Sequence, residues 1–328
     1  MRGWIGAGLF VAALGAASWG AGLALERGAV AGFAALSARG QGGLEAARAV
    51  GFPARIGVDL QGVALRDPAR GIDWQIPAAK VAAPLWAPWS WRADLALPQK
   101  LTLGGQSFTL TGAQAQGAMR LGFGADLPLR ALGADLQAIR LAHDASQTPS
   151  LALQDLTFAL ESADSAGGYL LRARARDVTL PPRLVAAFAP QARFPDQIET
   201  LSLDAKLTFA APFGLLQHRP PRLTGVEIDA AELVWGGHAL AVTGAFAISP
   251  EGWPEGSVTL AVSDWDAWLT LARGAGVVPA DKMPMLSALG QGLARQSADG
   301  RVHLPLSFQN GMTYFAGLPL GPAPRLGL

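Results

Sequence analysis

The chain has 328 residues, half of them apolar, 16% charged and none of them cysteine, with a formal net charge of +1. That length is enough for one large β-domain or two smaller ones. The near-neutral, dispersed charge excludes the basic stripe that neutralises nucleic-acid phosphates, and the missing thiols exclude disulfide staples, thiolate catalysis and cysteine zinc sites.

The first charge after Arg2 is Glu26, and Trp4 to Leu25 between them is a run of apolar and small residues. At ~1.5 Å per residue, a helix of this length crosses about 30 Å, the hydrocarbon thickness of a bilayer. Two readings compete. A cleaved signal peptide would use Gly22-Leu23-Ala24 as its small-residue site, whereas a retained transmembrane anchor better fits a run longer than a signal core. With Arg2 and the α-amino group on the near side, residues 1–3 are expected as a cytoplasmic stub. The body is then placed in the periplasm as a single-pass protein of the inner membrane, or exported if the N-terminus is cleaved. Gly8, Gly15 and Gly22 recur every seven residues as a small-residue seam, suited to packing on another helix or simply tolerated in an Ala-rich anchor. Residues 26–50 are predicted as a helical stalk interrupted at Gly40–Gly43, with Leu44 to Val50 as a short second helix ended by Gly51-Phe52-Pro53.

From residue 51 to 328 the dominant period is two. Ile56, Val58 and Leu60 alternate with Arg55, Gly57 and Asp59, and the pattern returns at Leu156, Phe158 and Leu160, at Phe246 and Ile248, and at Val258, Leu260 and Val262. Alternation of this kind marks strands with one buried face. Turn chemistry falls between them at Asp67-Pro68, Gly104-Gly105, Gly167-Gly168, Gly236-Gly237, Pro250-Glu251-Gly252 and Asn310-Gly311, so an antiparallel meander is expected. Three short helices are predicted: Pro182 to Phe188; Asp264 to Arg273, with Ser263 or Asp264 as N-cap; and Met283 to Arg295. A soft internal boundary is expected near residues 181–195, where prolines break the strand series. The fold class is therefore mainly β, an N-terminal transmembrane helix followed by a large curved antiparallel sheet with two or three short helices. Only two tyrosines are available for aromatic girdles, which argues against an outer-membrane barrel.

Chemistry is sparse. His143, His218, His238 and His303 show no metal-ligand spacing. Asp264 and Asp266 are the most suggestive carboxylate pair, yet acids in a first helical turn cap free amides and complement the dipole. No phosphate loop or nucleophile elbow is present, so no catalysis, metal or cofactor is expected. Trp86, Trp89 and Trp91, framed by Pro84 and Pro88, read as a lip over apolar cargo, as a foot on a membrane interface, or as indoles completing a core. Arg172, Arg174 and Arg176 alternate along one strand; anionic lipid headgroups would suit them, as would a solvated face or edge protection.

Gly51-Phe52-Pro53-Ala54-Arg55-Ile56, then Ala83-Pro84-Leu85-Trp86 and Pro88, resemble the bacterial envelope family catalogued as domain of unknown function 2125. So do Trp235-Gly236, Leu240-Ala241-Val242-Thr243-Gly244, Pro254-Glu255-Gly256-Ser257-Val258-Thr259-Leu260 and Gly300-Arg301-Val302-His303-Leu304-Pro305-Leu306. Through the same segments the chain more distantly resembles the AsmA-like envelope proteins, whose anchored sheets curl into a trough with a greasy inner face. The likeness implies envelope biogenesis or lipid movement, with membrane lipids as partners and no catalytic residues. The chain is short for a trough that crosses the whole periplasm. The expected lipid-binding positions are Ile56, Val58, Phe158, Phe246 and Leu260, with Trp86, Trp89 and Trp91 beside them. The alternative is a non-catalytic structural or assembly partner in an envelope complex, with other envelope proteins as its partners.

Overall fold

The computed structural model describes residues 2–145, 149–163, 165–188, 194–215, 217, 220–276, 278, 280–298, 300–315 and 317–326. Side chains are described from residue 20 onward, those of 149, 150, 183, 187, 188, 296 and 318 excepted. The chain divides into two compact units, Met1–Ser150 and Leu151–Leu328.

In the first unit, α1 (Arg2–Ala38) is followed by β1 (Gly42–Gly43), β2 (Ala46–Val50), β3 (Arg55–Asp67), β4 (Ile72–Pro84), β5 (Ser90–Leu95), β6 (Gln99–Leu103), β7 (Gln106–Thr111), β8 (Gln114–Leu121) and β9 (Leu129–His143). All pairings within the unit are antiparallel. β4 changes partner along its length, pairing β6 through Ile72–Gln75 and β5 through Ala79–Ala82. β9 likewise pairs β8 and then β7. Val58, Leu60, Val63, Ile76 and Ala79 form the unit's core, and Ala29 and Phe33 of α1 pack on it. Spacing of three to four residues sets Gly22, Glu26, Ala29 and Phe33 along one helix face. Glycine at 22 lets the helix approach β2, because a Cβ there would stand 3.3 Å from that of Ala49. Glu26 accepts the Ala49 N–H at 2.8 Å.

Two expectations change here. Leu44 to Val50 is not a helix: Ala46–Val50 is strand β2, hydrogen-bonded from Ala46↔Gln61 to Val50↔Gly57. Its alanines favour helix intrinsically, but the long edge of β3 and the covering α1 override that preference. Among the described residues no helix is long and apolar enough to cross a membrane; for residues 4–19 of the expected Trp4–Leu25 anchor, the side chains lie outside the described residues.

In the second unit, β10 (Pro149–Ser162), β11 (Gly168–Thr179), α2 (Pro182–Phe188), β12 (Gln197–Phe209), β13 (Leu223–Trp235), β14 (His238–Ile248) and β15 (Pro254–Val262) lead to α3 (Trp265–Gly274), a 3₁₀ turn at Ala280–Lys282, α4 (Met283–Gln296), β16 (Val302–Gln309), β17 (Met312–Phe315) and β18 (Leu318–Pro322). The strands form an antiparallel meander in chain order. Two hairpins turn on two residues that both have positive φ, Gly236-Gly237 (60° and 77°) and Asn310-Gly311 (51° and 72°), the conformation that matches strand twist and favours Gly and Asn. Pro181 to Pro195 marks no division between the compact units, which part at Ser150/Leu151. β11 and β12 pair directly up to Thr179↔Gln197, so α2 lies between two neighbouring strands; residues 189–193 of the expected boundary lie outside the described residues.

Candidate functional site

Alternation along seven paired strands of the second unit produces one continuous apolar face. Phe158, Ala173, Leu203, Ala231, Val242, Leu260 and Leu304 lie side by side across β10 to β16. Two residues along, Leu160, Leu171, Ala205, Ile228, Val258 and Leu306 occupy the next row, interrupted only by Gly244. A further row carries Tyr169, Leu207, Val226, Phe246 and Phe308, with the Phe246 and Phe308 rings 6.0 Å apart in a T-shaped contact.

At the other end of this face, Ala175, Val262 and Val302 are buried in a cluster with Trp235 and Trp268, against which Val185, Leu271 and Leu293 of the three short helices pack. α3 is placed by Asp264, which caps it in a left-handed conformation (φ 48°) and accepts the Ala267 N–H at 3.3 Å. The Trp265 indole donates to the Leu286 carbonyl at 2.8 Å, tying α3 to α4. Along the face from this capped end, Phe158, Leu171, Leu203, Leu207, Val226 and Ile228 remain half-buried, whereas Leu160, Tyr169, Ala205, Val258, Leu304 and Phe308 on the same rows are buried, Val258 and Phe308 in a cluster with Ala323.

The opposite face is polar. Arg174 pairs with Asp204 at 3.2 Å, Arg176 with Asp155 at 2.7 Å, and Lys206 with Glu227 at 3.1 Å and Asp229 at 3.4 Å. The hydrogen bond to Glu227 and the charge of Asp229 hold the Lys206 ammonium above its usual range. A shallow depression of about 520 Å³ lies where Gly168, Gly225, Ala245 and Ala247 leave room between Lys206 and Glu255. Edge protection does not describe Arg172, Arg174 and Arg176, because β11 is flanked by β10 and β12. Their stripe is the solvated side of an amphipathic sheet.

Three of the five expected lipid positions, Phe158, Phe246 and Leu260, thus share one face of the second unit. Val58 in the first unit is 6% exposed and belongs to the core beneath α1, with half-buried Ile56 two residues away on the same side of β3. Trp91 is half-buried in β5 opposite Met119. Trp86 and Trp89 do not complete a core: they are 73% and 36% exposed in the turn after β4. The alternation gave no notice of their aromatic neighbours Phe52, 66% exposed, and Phe123, 82% exposed. The available signal was an aromatic set among turn formers, Gly51-Phe52-Pro53 and Gly122-Phe123-Gly124.

The acidic pair serves structure. Asp264 caps α3 and lies 3.3 Å from His238 Nδ1, while Asp266 accepts from Ser287 Oγ at 2.6 Å and Gln291 Nε2 at 3.1 Å on α4. His143 Nδ1 accepts the Ala145 N–H at 3.2 Å; His218 lies outside the described residues. Among the described residues, no three His, Asp or Glu side chains are grouped to hold a metal ion. Asp264→Ala and Asp266→Ala are each expected to lower stability by about 1 kcal/mol, through loss of a cap and of side-chain hydrogen bonds respectively. Thermal unfolding monitored by circular dichroism checks both.

A family model described as "Uncharacterized protein conserved in bacteria (DUF2125)" matches residues 19–324. No curated protein and no solved structure matches the chain, so the match bears on the first resemblance and leaves the AsmA-like one as an expectation.

Proposed function

This chain belongs to the DUF2125 family, and from that premise we propose that it is a membrane-anchored periplasmic protein of the bacterial envelope that shields lipid acyl chains on the apolar face of β10 to β16. The observation that carries the reading is the middle of the face: aliphatic and aromatic side chains across seven strands, half-buried at Phe158, Leu171, Leu203, Leu207, Val226 and Ile228 between the helix-capped end and a second buried cluster of Val258, Phe308 and Ala323. At ~4.8 Å between strands such a face is roughly 30 Å across, about twice the ~15 Å depth of one leaflet's hydrocarbon. An acyl chain lying on it would gain ~0.8 kcal/mol per methylene removed from water, with no catalytic group required. The uncharged run Trp4 to Leu25 supplies the anchor in this reading, and sequestration or hand-over of lipid is the activity.

Native mass spectrometry of the full chain, released from membranes in mild detergent, tests the reading. Wild-type protein is expected to retain a stoichiometric acyl lipid, and Leu203→Asp to lose it. The N-terminal helix is identical in the two proteins, so the difference reports the face. Equal lipid retention by both, or none by either, would contradict the proposal.

A further inference from the structure

Three turns of the first unit meet at one end of its sheet: residues 51–54 between β2 and β3, 85–89 between β4 and β5, and 122–128 between β8 and β9. They are tied together by backbone, Leu85 N–H to the Ala54 carbonyl at 3.0 Å and Leu121 N–H to the Trp89 carbonyl at 2.9 Å. Each presents an aromatic side chain to solvent: Phe52, Trp86 and Phe123 are 66%, 73% and 82% exposed, and Trp89 meets Phe123 edge-on at 5.1 Å. Large rings at turn tips gain nothing from water and are placed where one side of the ring can become apolar.

Two further observations identify what meets them. First, α1 runs along β2 in the opposite direction, with Gly22, Leu23 and Glu26 beside Val50, Gly51 and Phe52 and Leu36 against Gly42. The uncharged run that precedes Glu26 therefore enters the unit from the same end as the aromatic turns. Second, Arg55, Arg120 and Arg130 are exposed at the strand ends that flank these turns and make no ion pair among the described residues, while Asp126 is the single acid within the turns. Aromatic tips with arginines behind them match the depth profile of a bilayer interface, rings at the acyl boundary and guanidiniums at the headgroup phosphates.

We infer that this end of the first unit docks onto an anionic lipid bilayer, the aromatic turns entering the interface around the point where α1 emerges. The inference rests on the membrane-anchored reading above and deepens it, since it sets the orientation in which the unit would stand on the membrane.

The absence of native cysteine makes single-cysteine labelling clean. Full-length Trp86→Cys and Phe123→Cys, both at exposed positions, and Gln106→Cys at the opposite end of the sheet as control, are labelled with an environment-sensitive nitrobenzoxadiazole probe. They are reconstituted into vesicles of phosphatidylethanolamine with one-quarter phosphatidylglycerol. Probes at 86 and 123 are expected to emit several-fold more strongly and further to the blue than the probe at 106, and to be quenched by a lipid-borne nitroxide. Replacing phosphatidylglycerol by phosphatidylcholine is expected to weaken both effects, and unchanged signals would overturn the anionic preference. Emission at 86 and 123 equal to that at 106, in protein that stays with the vesicles, overturns the docking and leaves the anchored reading intact. Blue-shifted emission that the lipid nitroxide does not quench assigns the turns to a protein contact and also overturns it. Protein that fails to stay with the vesicles at all overturns both.

Discussion

Gly256→Ala is expected to destabilise the Leu151–Leu328 unit by about 3 kcal/mol, combining backbone strain with a steric clash that neighbouring strands cannot relieve cheaply. Gly256 has φ of 147°, and a Cβ there would stand 2.5 Å from the Ala245 carbonyl oxygen and 2.7 Å from Phe246 Cα. Gly244 on the adjoining strand is constrained in the same way, with φ of 138° and a Cβ position 2.5 Å from the Ser257 carbonyl oxygen. In both cases the obstacle is backbone, so the strands β14 and β15 would have to move apart and stretch their ladder. Gly225 is the control: a Cβ there meets the Thr208 Cβ at 3.7 Å, an ordinary contact, with no positive φ. Gly225→Ala is therefore expected to change stability by less than about 0.5 kcal/mol. Urea unfolding followed by tryptophan fluorescence separates the two outcomes. A midpoint for Gly256→Ala as high as that of Gly225→Ala would show that the close approach of β14 and β15 is not real.

Leu203→Asp is expected to cut retained lipid on the order of tenfold or more, equivalent to at least ~1.4 kcal/mol of binding free energy. Leu203 stands between Ala173 and Ala231 in the row of the apolar face that starts at Phe158, so it projects beyond its small neighbours into the space an acyl chain would occupy. A carboxylate there has either to be desolvated by the lipid or to keep water on the face, and both oppose binding. The site is half-buried and lies outside the helix-covered cluster, so the folded unit is expected to survive. Leu203→Ala, which removes contact area without adding charge, is expected to lose much less lipid. Circular dichroism of both variants confirms that the comparison is made between folded proteins.

Much of this architecture is legible in the sequence because it is written in short-range chemistry. The alternation at Leu156, Phe158 and Leu160 and at Val258, Leu260 and Val262 marks strands of the amphipathic sheet, and Gly236-Gly237 and Asn310-Gly311 place hairpin turns to the residue. The three short helices were equally local, set by Asp264 as a cap and Pro284 in a first turn. What escaped the sequence depends on partners distant along the chain. Ala46, Ala47 and Ala49 favour helix on their own, yet β3 recruits them as a strand. Pro181 to Pro195 resembles a boundary, yet Thr179 and Gln197 are paired across it. The positions expected to meet lipid divide for the same reason: period two shows that Val58 and Phe158 each point to an apolar side, but only packing shows that α1 covers the first. Phe52 and Phe123 were invisible to periodicity because they stand alone in turns, and their meaning comes from the convergence of three connections at one sheet end.

Site-specific photocrosslinking in intact cells would detect acyl chains on the apolar face of β10 to β16 where they lie. Benzophenone side chains would be placed at Phe158, Leu207 and Val226, half-buried on that face, and at Ala241 and Glu232 on the polar face, in the full chain. Mass spectrometry of the isolated protein is predicted to find glycerolipid adducts at the first three positions and none at the last two. Adducts distributed equally over both faces, or only protein adducts on the apolar one, would show that acyl chains do not lie there.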